Sequence, residues 1–186
     1  KVVLISNTLQ GYAPDVYVPM TTAEQIGELQ AKELVNKLEL DKASSDAPKQ
    51  IEVLLPYDAA DGHDAKTDTS FAQNMFKGIW KVREPYFKDG KAASPSETLT
   101  ASTTKDDWRS VAFDSSKAEQ IKSVLAERLD ADKDDSHPVH LDGVISCNDY
   151  VAKNIADELD KLGYTGSSAD INPSISISGI VDSITG

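Results

Sequence analysis

The sequence has one cysteine, Cys147, among its 186 residues, so no internal disulfide can form and no cysteine-based structural zinc site can be built. The three histidines, His63, His137 and His140, are scattered, and no H-E-x-x-H or comparable spacing exists to hold a catalytic metal. Glycine patterns are missing as well. Neither G-x-G-x-x-G nor a P-loop is present, and no serine sits in G-x-S-x-G, so nucleotide binding and nucleophile-elbow hydrolysis have no motif to rest on. Asp58, Asp61, Asp64 and Asp68 cluster, but they lack the EF-hand order and its closing glutamate, so calcium is not expected. No apolar run approaches the roughly 20 residues that span a bilayer. Basic residues are scarce: 19 against 31 acidic ones leave a charge of −12 and a pI near 4.6. Such a balance excludes a phosphate-backbone partner, which needs clustered Lys and Arg, so no nucleic acid is expected.

What the sequence does contain is an alternation of strand and helix patterns. Residues 2–5 form a short continuous apolar run, the pattern of a strand buried on both faces of a parallel sheet. Thr21 with Glu24 three residues on reads as a capping box, and Ile26, Leu29, Leu34 and Leu38 continue one helical stripe to about residue 40. A second buried strand spans 51–55 and ends at Pro56. A second helix begins at Phe71 and stops before Pro85. Residues 97–101 offer one short strand, and 116–129 a third helix. Residues 141–147 form the next strand, after which Asn148 and Asp149 cap a helix over 150–162 closed by Gly163. Residues 175–179 alternate in the β period. Four strand–helix alternations predict an α/β three-layer sandwich with a parallel sheet and right-handed crossovers. The absence of an initiator Met, the strand at the start and the strand without a following helix at the end make a fragment of a longer protein the expectation.

In open parallel sheets ligands bind beyond the carboxyl ends of the strands. The polar residues there are Ser6, Asn7 and Thr8, the 58–64 segment with Asp64, Asn148 with Asp149, and Asp182. Amides, hydroxyls and carboxylates of this kind bracket vicinal hydroxyls, which suits a sugar or another polyol. Asn148 and Asp149 also fit a purely structural helix cap. Trp108, in the polar stretch 103–109, either stacks on a sugar ring or packs inward.

These residues resemble a known family. The run 26–35, Gly78 with Glu84-Pro85-Tyr86 and Gly90-Lys91, the stretch 142–149 ending in Asn148-Asp149, and Ile177-Ser178-Gly179 are similar, in order, to the C-terminal lobe of type I periplasmic sugar-binding proteins of ABC importers, nearest the xylose-binding and multiple-sugar-binding branch. The resemblance implies one lobe of the periplasmic binding protein type I fold. Residues 1–17 would be the end of an N-terminal lobe strand and a hinge crossing, and residues 18–186 a C-terminal lobe incomplete at its end. It implies a non-enzymatic, cofactor-free, monomeric protein that captures a monosaccharide or small oligosaccharide between two lobes and delivers it to permease subunits. It also implies a periplasmic or cell-surface location, as a lipoprotein or free. Carried over residue by residue, Asn148 and Asp149 match the family's ligand-binding pair, and Trp108 falls near a sugar-stacking tryptophan. Asn7-Thr8 replace Asp-Arg, Phe76 replaces an arginine, and Asp182 meets the family's Gln-Asp only with a one-residue shift. The effector domain of a LacI-type transcription regulator, which shares the fold, is the alternative, and an α/β enzyme with an unlisted site is a third.

Overall fold

The structure, a computed structural model, describes residues 1–5, 11–18, 21–57, 69–115, 118–129, 139–164 and 176–178. Helix α1 (Ala23–Lys37) starts from a capping box one residue later than the sequence suggests, at Thr22 and Gln25. Both Thr21-x-x-Glu24 and Thr22-x-x-Gln25 satisfy the motif. In the second, Thr22 Oγ1 accepts from the Gln25 N–H at 3.2 Å while the Thr22 N–H donates to Gln25 Oε1 at 2.9 Å. The helix ends at Lys37 because Glu39 turns left-handed, with φ 50°, and a 3-10 turn (Leu40–Lys42) follows.

Strands β3 (Lys49–Val53) and β4 (Leu55–Tyr57) are one run of chain interrupted only at Leu54, whose N–H still donates to the Ile145 carbonyl at 2.8 Å. The run does not end at Pro56. On the side of its partner β6 (Ala112–Asp114), the Leu55 N–H donates to Val111 and the Tyr57 carbonyl accepts from Ser115. The intervening Pro56 has its nitrogen on the other side and loses no bond to that neighbour. Helix α2 (Ser70–Lys88) likewise runs through Pro85 rather than stopping before it. Its apolar face extends to the buried Phe87, whose ring lies 5.3 Å from that of Trp80, and that burial outweighs one lost helical bond near the end. Residues 97–101 are a turn with Glu97 at φ 56°, not a strand. The edge positions belong instead to β5 (Ala92–Ala93) and β6, which are too short to show a period.

Helix α3 (Ala118–Leu129), strand β7 (Gly143–Ile145), helix α4 (Asp149–Lys161) and strand β8 (Ser176–Ser178) complete the lobe. The sheet order is β5-β3-β7-β8, with β6 beside β4, and every strand pair is parallel. Alternation along the central run sorts the core into two layers. Ile51, Val53 and Leu55 pack under α1 and α2 with Ala31, Leu34, Met75, Ile79 and Trp80, whereas Leu54 and Val144 pack under α3 and α4 with Ile121, Leu125, Val151 and Ile155. This is the expected three-layer α/β sandwich with a parallel sheet. Strands β1 (Val3–Ile5) and β2 (Val16–Val18) form a separate parallel pair. Val2 and Val3 there are exposed, at 39% and 55%, so the expectation of a strand buried on both faces does not hold: no described layer covers them.

Buried polar groups tie the layers together. Glu52, fully buried on β3, accepts from Ser94 Oγ at 2.8 Å and the Ser96 N–H at 2.9 Å, and lies 3.5 Å from Arg128 Nη1. Arg128 in turn donates to the Val53 and Val111 carbonyls at 2.6 and 2.9 Å, fastening α3 to the central run and to the entry of β6. Arg83 contrasts with this. It is 1% exposed, and among the described residues none of its three guanidinium nitrogens has a hydrogen-bond partner. Burial pulls its pKa down to about 9.

Two outcomes follow from this packing. Helices α1 and α2 touch backbone to backbone at Gly27 and Gly78, where a Cβ on Gly78 would sit 1.9 Å from the Glu24 carbonyl oxygen. Gly78→Ala therefore forces the helices apart and is expected to destabilise by about 3 kcal/mol in chemical denaturation. Arg83→Met removes an uncompensated charge and is expected to stabilise by about 1–3 kcal/mol at pH 7. Because the folded pKa lies below the unfolded one, the penalty is complete below pH 9 and fades as pH rises through and above it, so the melting advantage of the variant shrinks between pH 8 and 11.

Candidate functional site

The central run and β7 are neighbours, yet the helices that follow them go to opposite faces: α2 joins the layer of Ile51, Val53 and Leu55, and α4 joins that of Leu54 and Val144. Such a divergence opens a crevice at the carboxyl ends of the two strands, the topological switch point at which α/β sheets take ligands. Its described rim consists of Tyr57 at the end of β4, Asp114 and Ser115 at the end of β6, and residues 146–150 beyond β7.

The exit of β7 is held in an unusual conformation. Ser146 and Cys147 are fully buried, and the Asn148 N–H donates to the Ser146 carbonyl at 2.8 Å, closing a three-residue turn around Cys147 at φ 66°. This is the rarer, strained form of γ-turn. Burial pushes the Cys147 thiol up, so the sulfur stays a protonated packing group and not a nucleophile. The turn delivers Asn148 in extended backbone geometry to the start of α4, where its Oδ1 accepts from the Val151 N–H at 2.9 Å. The cap uses only the oxygen. Among the described residues the Nδ2 amide of this half-buried residue has no partner, so the structural and the binding readings of Asn148 are compatible. Asp149 is half-buried in the first turn of α4.

Of the other residues predicted for the site, Asn7, Asp64 and Asp182 lie outside the described residues, as do the other aspartates of 58–68 and Ser6 and Thr8. Trp108 packs inward. It sits in a 3-10 turn (Trp108–Ser110), is 6% exposed, packs with the α2-side core, and carries the Arg109 guanidinium 4.5 Å from its ring centroid. Of the two readings of Trp108, stacking on a sugar or packing inward, this packing accords with the second. Asp107 fixes the preceding turn by accepting from the Thr104 N–H and hydroxyl, bonds that hold its pKa below the usual carboxylate value.

Two exposed aromatics escape the sequence reading. Phe71, at 47% exposure, and Tyr150, at 52%, stand in the first turns of α2 and α4, at the crevice end of the sheet. The stripe Val151, Ile155 and Leu159 is the buried face of α4, and Tyr150 falls off it, which is the signal the sequence offered. The residues at the opposite end of the sheet are closed on themselves: buried Asp142 accepts from Lys49 Nζ at 3.0 Å and the Gln50 N–H at 2.8 Å, with His140 Nε2 3.0 Å away. Among the described residues no group of three metal-ligating side chains occurs.

No family model matches the chain, and no curated protein does. Among solved structures, it is similar to the crystal structure of an ABC transporter solute-binding protein from Clostridium phytofermentans with bound β-D-glucose. The two are 17% identical with a TM-score of 0.64, over 95% of this chain and 46% of the other, so this chain spans less than half the length of that protein. The likeness establishes the fold.

Removal of the cap is measurable apart from any ligand. Asn148→Ala is expected to cost about 1 kcal/mol and Asn148→Asp only a few tenths, because the carboxylate can still accept from Val151 and suits the helix N-terminus. Thermal denaturation of the two variants checks the difference.

Proposed function

We propose that this chain is the C-terminal lobe, with the end of an N-terminal lobe strand and a hinge crossing over residues 1–17, of a sugar-binding solute-binding protein of an ABC importer. The observation that carries the reading is the switch point at the divergence of β4 and β7, where Asn148 caps α4 through its oxygen and no described rim residue is cationic. Amide donors and carboxylate acceptors in one crevice match the vicinal hydroxyls of a carbohydrate, each of which donates and accepts. The structural likeness to a glucose-bound solute-binding protein supports the same ligand class.

The work of such a protein is capture. A sugar held on this edge is enclosed when a second lobe closes about the hinge, and the closed form is presented to membrane permease subunits, with no bond made or broken. That role places the protein outside the cytoplasmic membrane. Within the ligand class, a gluco- or xylo-configured monosaccharide is the ligand expected at this rim of amide, hydroxyl and carboxylate groups.

Titration calorimetry on the protein from the full reading frame, against D-glucose, D-xylose, L-arabinose, D-galactose and short oligosaccharides, tests the reading. Binding with a Kd of about 10 μM or tighter to at least one of them is expected. Absence of heat with every sugar would overturn it.

A further inference from the structure

Three buried residues of the α1–α2 layer carry polar atoms that the packing leaves unanswered. Gln30, Trp80 and Arg83 are 5%, 1% and 1% exposed, and among the described residues none of their side-chain polar atoms has a hydrogen-bond partner. The two helices run parallel. Gly27 meets Met75 and Ile79, Gly78 meets Glu24 and Glu28, and Asp41, just beyond α1, accepts from the Tyr86 hydroxyl at 2.7 Å. Gly27 sits against the Ile79 backbone, so one turn further on Gln30 of α1 and Arg83 of α2 stand at the same level of the pair. On α2 itself Arg83 lies three residues after Trp80 and four before Phe87, on one stripe, and those two rings approach to 5.3 Å across its position.

The set is rich in donors. Its five nitrogens stand against one acceptor oxygen, Gln30 Oε1. Water answers such a set poorly, because each molecule that accepts from these nitrogens brings hydrogens of its own that need acceptors. A carboxylate would answer it well, but among the described residues Arg83 forms no ion pair, and the group that acts on its charge is Tyr86, whose hydroxyl is engaged with Asp41. Even with its pKa pulled down to about 9, the guanidinium is cationic at neutral pH. A buried cation without a counter-charge is strongly destabilising, and arginine sheds its proton far less readily than lysine.

We infer that Arg83, with the Trp80 indole N–H and the Gln30 amide, forms a buried site for a small monovalent anion of the chloride class between α1 and α2. A halide accepts from several N–H groups at once, brings no hydrogen and neutralises the guanidinium. A doubly charged oxyanion would only exchange one unpaired buried charge for another. The site is separate from the crevice and does not depend on the sugar-binding reading: from Ser70 to Arg83 the helix climbs about 20 Å, away from the crevice end of the sheet. Its anion fastens α1 to α2 one turn beyond their closest contact. The gain expected from Arg83→Met therefore belongs to halide-free buffer and shrinks as halide is added.

Thermal denaturation of the full-length protein and of Arg83→Met, with sodium chloride exchanged for sodium methanesulfonate at constant ionic strength, tests this. The wild-type melting temperature is expected to rise with the logarithm of chloride concentration, by at least about 2 °C between about 2 and 200 mM, and to respond alike to bromide. Arg83→Met is expected to stay within about 0.5 °C over the same range. Crystals of the wild type grown in bromide give a second reading, an anomalous scattering peak within hydrogen-bonding distance of the Arg83 guanidinium. A chloride response equal in the two proteins, or none in the wild type, would overturn the site. So would a carboxylate side chain seated on the guanidinium in those crystals.

Discussion

The pairing of the central run, residues 49–57, with its neighbours is the constraint on which the rest depends. One extended segment takes β5 and β6 along one edge and β7 along the other, and its alternating side chains supply both cores. A strand buried on both faces cannot slip by one residue without exchanging the two sets, which would drive Glu52 into the layer of Trp80 and Phe76. Glu52 makes that error costly in a second way. Its carboxylate is bonded to the 94–98 turn and lies beside Arg128, so the register is fixed by a polar network as well as by apolar burial.

The same register creates the crevice. Because the central run hands the chain to α2 on one face and β7 hands it to α4 on the other, the carboxyl ends of these strands cannot be covered by a common helix. The strained turn at Cys147 is the local counterpart of this divergence. A residue buried between the layers has to reverse direction within three positions to start a helix on the far face, and the left-handed conformation at Cys147 does so. Asn148 and Tyr150 are aimed by that turn.

Much of this was legible in the sequence where many residues repeat one preference. The apolar run 51–55, the stripe of α2 and the cap at Asn148 each express a single physical rule over several positions, and each forms as expected. The failures concern residues whose setting is decided from a distance. Pro56 and Pro85 continue their elements because the side that loses a donor carries little or because burial beyond it is worth more. Trp108 lies in a polar stretch, yet polar neighbours in a 3-10 turn can point outward while the indole points in, and only the core beneath it decides. Tyr150 went unmarked at the helix start, and only the completeness of the stripe Val151, Ile155 and Leu159 sets it apart. Asn7, Asp64 and Asp182 lie outside the described residues.

The electrostatics of the two sheet ends sharpen the ligand class. At the amino end Asp142 is fully engaged by Lys49, His140 and a backbone N–H, a closed cluster that a ligand could enter only by displacing a partner from a buried carboxylate. At the carboxyl end the described rim has no cation to receive an anionic ligand, and Asn148 is followed there by the half-buried Asp149, a setting for a ligand that brings its own hydrogen-bond donors and acceptors. The chain's net charge of −12 opposes a nucleic-acid partner and leaves the chemistry at the strand ends to be decided by the individual groups there.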